Sequence, residues 1–209
     1  VTIGFTYMNK CRDISILYIN SERPAFNDKR IRMEEKLNEL GLPYERVPVA
    51  VQNGSATVNI VSGGHKDASQ IAIDNDKLPC LILEDDAELL DEFPFDLDVN
   101  EDAKLIYFGL SLHNAGQGRL ELTDYNEDYY RVKNSLAAHA ILLPTQDSAK
   151  YYISLCEKSI EVTNWHDKEL AYDSQKELFL TPKKGPVFFQ TDGHTRPVTN
   201  FELEDFIID

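Results

Sequence analysis

The chain has 209 residues, 42% of them hydrophobic and 27% charged, a globular balance with enough length for one domain around a single substantial core. Its 21 Lys and Arg stand against 36 Asp and Glu, a formal charge of −15, which repels nucleic-acid phosphates and anionic membrane surfaces. An anionic small molecule would need a local counter-charge, such as a metal ion or an arginine.

No apolar run approaches the roughly 20 residues that cross a bilayer. The opening VTIGFTYMNK lacks the basic-then-apolar layout of a signal peptide. Cys11, Cys80 and Cys156 are widely spaced and form no CxxC pair, so neither a disulfide framework nor a zinc knuckle is expected. A reducing, cytoplasmic setting is the expectation.

In chain order, residues 14–19 (ISILYI) read as a buried strand emptying into the polar loop NSERPAFND, with Asn27 or Asp28 as helix N-cap. Residues 30–40 carry Ile31, Glu34, Leu37 and Leu40 at helical spacing, stopped by Gly41 and Pro43. Residues 44–51 (YERVPVAV) alternate as a second strand. A loop punctuated by Gly54, Gly63 and Gly64 spans 52–64, and a short helix 66–75. Cys80, Leu81, Ile82 and Leu83 then form a strand buried on both faces, running straight into Glu84, Asp85 and Asp86. Residues 91–104 read as a polar surface excursion, 105–110 (LIYFGL) as a strand and 113–128 as a long loop or small hairpin. A strand over 136–143 (LAAHAILL), helices over 146–158 and 167–178, and a late strand over 187–190 complete the chain. Alternating strand and helix signals predict an α/β domain with a mostly parallel central sheet flanked by helices.

In open α/β sheets, ligands collect outside the carboxyl ends of the strands. Three adjacent acids at such an end suit a hard divalent cation, which takes one or two protein carboxylates and fills its shell with substrate phosphates. A solvated acidic turn is the alternative in so acidic a chain.

The surrounding segment, SGGHKDASQIAIDNDKLPCLILEDDAEL, resembles the family 25 glycosyltransferases, the group of lipopolysaccharide-modifying enzymes and collagen galactosyl- and glucosyl-transferase domains. A Gly-rich segment with a Ser-His pair, a short helix, a Leu-Pro turn and a strand ending in Glu-Asp-Asp are its pattern. His65 precedes Glu84 by 19 residues here, the family's spacing. YINSERPAFNDKRIRMEEKLNELGLPYERVPVA resembles the family's opening, and KLIYFGLS, AAHAILLP and WHDKEL resemble later segments. Gly64 stands where the family usually has Ser.

The resemblance implies a single GT-A-like (Rossmann-like) domain over 1–209, with a nucleotide-binding half at about 14–90 and an acceptor-side half at about 104–200. It implies a nucleotide-sugar donor, a UDP-hexose such as UDP-glucose or UDP-galactose, held with Mn²⁺ or Mg²⁺. Asp86 would be the direct metal ligand, with Glu84 beside it, and Glu84 or Asp85 would contact the ribose or sugar. Asn20, Arg23 and Arg30, after the first strand, would lie at the nucleotide, and His65 would support the acid loop or cap its helix. His194 in FFQTDGHTRPV would be a late metal ligand, and Asp167 the general base that deprotonates the acceptor hydroxyl. Each has a plain counterpart: loop arginine, loop histidine, or helix N-cap for Asp167. His139, within an apolar run, reads as a core or wall residue. Tyr129, Tyr130 and Trp165 would stack on sugar or simply pack.

The expected activity is transfer of a hexose, with inversion, to a saccharide or protein hydroxyl. A catalytically silent nucleotide-sugar or metal-binding module, and a metal-dependent phosphoryl hydrolase, are the alternatives.

Overall fold

Strands with apolar residues on both faces build the centre of the molecule. In β1 (Ser15–Ser21) and β3 (Cys80–Glu84) alternate side chains serve different cores. Leu17, Ile19, Cys80 and Ile82 face one core, while Ile16, Tyr18, Leu81 and Leu83 face the other. A computed structural model describes residues 9–50, 56–90, 92–111, 118–190, 203 and 205–208.

The eight-stranded sheet runs β2 (Tyr44–Val49), β1, β3, β8 (Ala140–Leu143), β5 (Leu105–Tyr107), β9 (Phe179–Pro182), β7 (Tyr129–Lys133) and β6 (Glu121–Asp124). β1 pairs in parallel with β2 and β3, as β5 does with β9. The ladders β3–β8, β8–β5, β9–β7 and β7–β6 are antiparallel. The sheet is therefore mixed, correcting the expectation of a mostly parallel one. The reason is physical: a strand buried on both faces has the same apolar pattern in either direction, so AILL carries no polarity. β4 (Ala87–Leu89), directly after the acids, pairs antiparallel with β10 (Phe188–Gln190) in a second, two-stranded sheet.

Helix α1 (Asn27–Leu40) covers one face through Met33 and Leu37. It starts at Asn27 with Phe26 in the capping position, so Asn27 and Asp28 are not its cap. Phe93, Val99 and Ala103 are buried against that same core, so the predicted surface excursion is a cover instead.

On the other face lie α2 (Thr57–Asp74), α3 (Gln146–Glu161) and α4 (His166–Asp173). α2 replaces most of the predicted loop over 52–64. It buries Val58, Ser62, His65, Ser69 and Ala72, a helical spacing of three and four. Gly64 sits where this helix crosses the sheet: a Cβ there would lie 2.8 Å from Val49 Cγ2 and 2.9 Å from Ile19 Cγ2. The glycine marks close approach rather than a turn. α4 ends at Asp173, so the helix predicted over 167–178 stops five residues early and gives way to a turn before β9. No described helix is long and apolar enough to cross a membrane. All three cysteines are free and buried.

Candidate functional site

The strand period decides where the acids go. Glu84 follows Cys80 and Ile82 on the face that α2 covers, and there it meets His65. His65 Nε2 lies 3.0 Å from Glu84 Oε1, and His65 Nδ1 lies 3.0 Å from the Tyr152 hydroxyl of α3. With Glu84 ionised, Nε2–H donates to the carboxylate and the tyrosine O–H donates to Nδ1. The other Glu84 oxygen accepts from Gln190 Nε2 at 3.1 Å, and the same amide reaches Asp86 Oδ2 at 3.4 Å. β10 is thus tied to the acid turn by backbone and side chain together.

Asp85 turns to the α1 side, where Asn20 Nδ2 donates to its Oδ2 at 2.6 Å. Asn20 Oδ1 in turn accepts from Arg46 Nε at 3.0 Å. Lys29 Nζ lies 3.8 Å from Asp85 Oδ1 and 3.9 Å from Asp86 Oδ2. A cation therefore already stands against two of the three acids.

The acid turn lines a cavity of about 660 Å³, within the ordinary size of small-molecule sites. Its walls include Glu84, Asp85 and Asp86, and also Asp167 and His166 from the first turn of α4. Arg23, Lys29, Trp165 and Lys168 contribute too. A neighbouring cleft of about 480 Å³ is lined by Asn20, Arg23, Arg30 and Arg46. The nucleotide candidates, Asn20 in β1 itself and Arg23 and Arg30 beyond it, thus gather at one place, with Arg23 lining both spaces and Arg30 only the smaller. Arg30 also donates to Asn27 Oδ1 through Nε at 3.2 Å and Nη2 at 2.9 Å.

Burial sets the charge states. Glu84 is pushed up to about 7, first by burial and then by the nearby Asp167 and Asp85 charges, with Lys29 opposing. His65 is pushed down to about 3 by burial. His166 is driven well below its ordinary range by burial and by His65, whose ring centroid lies 4.5 Å away. At neutral pH the imidazoles are uncharged.

Other sequence candidates fall elsewhere. His139 is buried outside this cavity, with Nε2–H donating to the Phe188 carbonyl at 3.4 Å. Tyr129 is buried and donates to the Asp98 carbonyl at 2.8 Å, and Tyr130 carries Lys183 over its ring. Of the three aromatic candidates Trp165 lines the cavity, 42% exposed. His194 lies outside the described residues. Sequence reasoning missed Lys29, Tyr152, Gln190 and Ser62, whose hydroxyl is 3.2 Å from His166 Nδ1. For Ser62 a signal existed, since it lies three residues before His65 on one helix face. The others come singly from remote elements and carry none.

No family model matches the chain, and no curated protein does. Among solved structures, the CTP:phosphocholine cytidylyltransferase LicC from Streptococcus pneumoniae is similar at 9% identity and a TM-score of 0.38, over 87% of this chain and 94% of that one. A likeness at that level defines neither substrate nor reaction for this chain.

Proposed function

We propose that the protein is a metal-dependent glycosyltransferase that moves a hexose from a UDP-sugar to an acceptor hydroxyl, with inversion. The observation that carries this reading is one cavity holding the acid turn at the end of β3 on one wall and Asp167, at the start of α4, on another. The family resemblance of the same segments supports it.

Neighbouring carboxylates in this cavity support a divalent cation. Glu84 and Asp86 converge on the Gln190 amide, and Lys29 already stands as a positive charge beside Asp85 and Asp86. Asp86, with Glu84, would hold the ion. When bound, a divalent cation neutralises charge developing on a diphosphate leaving group. Lys29 and Arg23 line the cavity as further cations for phosphate oxygens. Asn20 fixes the Asp85 carboxylate, which keeps the turn from rearranging. Asp167, in the first turn of α4, accepts the acceptor hydroxyl's proton. Trp165 offers a partly exposed indole for a sugar face.

Purified protein incubated with UDP-glucose or UDP-galactose and Mn²⁺ should release UDP, and faster with an acceptor saccharide. Asp86→Ala should abolish metal-dependent UDP affinity, measured calorimetrically. Asp167→Asn should keep UDP affinity within a few-fold and lower transfer by about 10²- to 10⁴-fold. Metal-dependent UDP binding without turnover would leave the silent binding module as the reading. Unchanged transfer by the Asn variant would remove Asp167 from the base role.

A further inference from the structure

We propose that His65, Glu84 and His166 form a divalent transition-metal site with two imidazole nitrogens and one carboxylate oxygen as ligands. It rests on the reading that this cavity takes a divalent cation, and it changes which side chains and which metals are involved. One ligand atom from each of the three residues lies within 4.8 Å of the other two. Such spacing allows a single ion to reach all three with modest side-chain movement.

The second observation concerns His166. The residue is 2% exposed, and its buried Nε2 has no hydrogen-bond partner among the described residues. Buried ring nitrogens are ordinarily satisfied, so a lone one calls for a ligand. Its other nitrogen is already served: Nδ1 faces Ser62 Oγ at 3.2 Å. His65 repeats the arrangement, with Nδ1 against Tyr152 Oη at 3.0 Å and Nε2 toward Glu84. With an ion bound, His65 would take the tautomer opposite to its metal-free one, and the hydroxyl on each Nδ1 would accept an N–H, which turns both Nε2 lone pairs inward. Metal-binding histidines are typically held this way, through the nitrogen that does not ligate.

The ring geometry is compatible with this: the centroids of His65 and His166 are 4.5 Å apart and the rings are tilted by 48°. Gln190 holds the second Glu84 oxygen, leaving Oε1 for the ion. Donor chemistry then selects the metal. Two imidazoles and a carboxylate suit Mn²⁺, Fe²⁺, Co²⁺ or Zn²⁺, whereas Mg²⁺ prefers oxygen ligands and retains its waters.

The test uses the full chain. Co²⁺ titration followed by visible absorption should show one tight site that Zn²⁺ displaces and equimolar Mg²⁺ does not. Pulsed electron paramagnetic resonance of the Cu²⁺-loaded wild type should show coupling to two imidazole nitrogens. His166→Ala should remove one nitrogen and weaken Co²⁺ by at least about tenfold, with the far-ultraviolet circular dichroism unchanged. Ser62→Ala, which leaves every ligand in place, should weaken Co²⁺ by about 10- to 100-fold. Oxygen-only coordination in the wild type overturns the site without recourse to any variant. Nitrogen signals surviving both His166→Ala and His65→Gln would belong to other histidines and overturn it equally. UDP release with Mg²⁺ and oxygen-only coordination would leave glycosyl transfer standing and this site refuted. Two-nitrogen coordination without turnover of any nucleotide sugar would do the reverse.

Discussion

His139 shows how a single side chain writes itself into the pH response of the fold. Its ring lies over Gly109, where a Cβ would stand 2.0 Å from Nε2. Burial pushes its pKa down from 6.5 to about 4, with the Phe188 carbonyl opposing and His65 adding to the shift. Between those pH values the unfolded chain binds the proton and the folded chain does not. His139 therefore costs no stability above about 6.5 and makes the protein progressively less stable as pH falls toward 4. We predict that His139→Gln flattens the dependence of unfolding free energy on pH across that window, by up to about 1.4 kcal/mol per pH unit. Urea melts at several pH values measure this, and parallel slopes for the two proteins would refute it. The same residue was legible in the sequence only as part of an apolar run. The partners of His65 were less legible still. Its spacing to Glu84 is a feature of the sequence, but Tyr152 and Gln190 meet the site through tertiary packing that leaves no local mark.

Helix α2 carries the lesson of adjacent glycines. In sequence, Gly63 and Gly64 look like loop punctuation; in the fold, both are helical. They differ in what surrounds them. A Cβ on Gly63 meets nothing within 4 Å, whereas one on Gly64 presses against the β-branched side chains Val49 and Ile19. Gly63→Ala should stabilise the protein by about 0.5–1 kcal/mol, the helix-interior penalty of glycine. Gly64→Ala should destabilise it by about 1–3 kcal/mol through overpacking against stiff neighbours. Thermal melts of the pair decide the matter, and shifts of the same sign would show that the helix does not approach the sheet so closely. Elements with a clear helical period, such as α1 and α3, were legible to within a few residues. The sense of β8, the start of α2 and the break between α4 and β9 were not. An apolar run has no direction, and a glycine does not announce whether it bends the chain or admits a neighbour.

At the scale of the molecule, a formal charge of −15 works against compactness, because like charges are held closer in the folded state than in the unfolded chain. Monovalent salt screens that repulsion over a distance that falls from about 30 Å at 0.01 M to about 8 Å at 0.15 M. The melting temperature should therefore rise across this range in a chelated, nucleotide-free buffer, read by scanning calorimetry. A falling one would mean that local pairs such as Lys36–Glu88 and Lys77–Glu45 outweigh the net repulsion. The class of the fold and the place of the acid turn followed from patterning. The mixed sheet did not, because pairing partners are chosen over the whole chain.

The side chains around His65 come from α2, β3, α3 and α4, with Ser62 and His166 separated by 104 positions. On the ribosome, His65 and Glu84 emerge long before Tyr152 and His166 can join them. Until then the face of α2 that carries Val58, Ala68 and Ala72 has no α3 to cover it, and β3 lacks its antiparallel neighbour β8. A nascent chain halted just after β3 would thus present a sticky helix face and a bare strand edge, both prone to aggregation until the rest of the chain covers them.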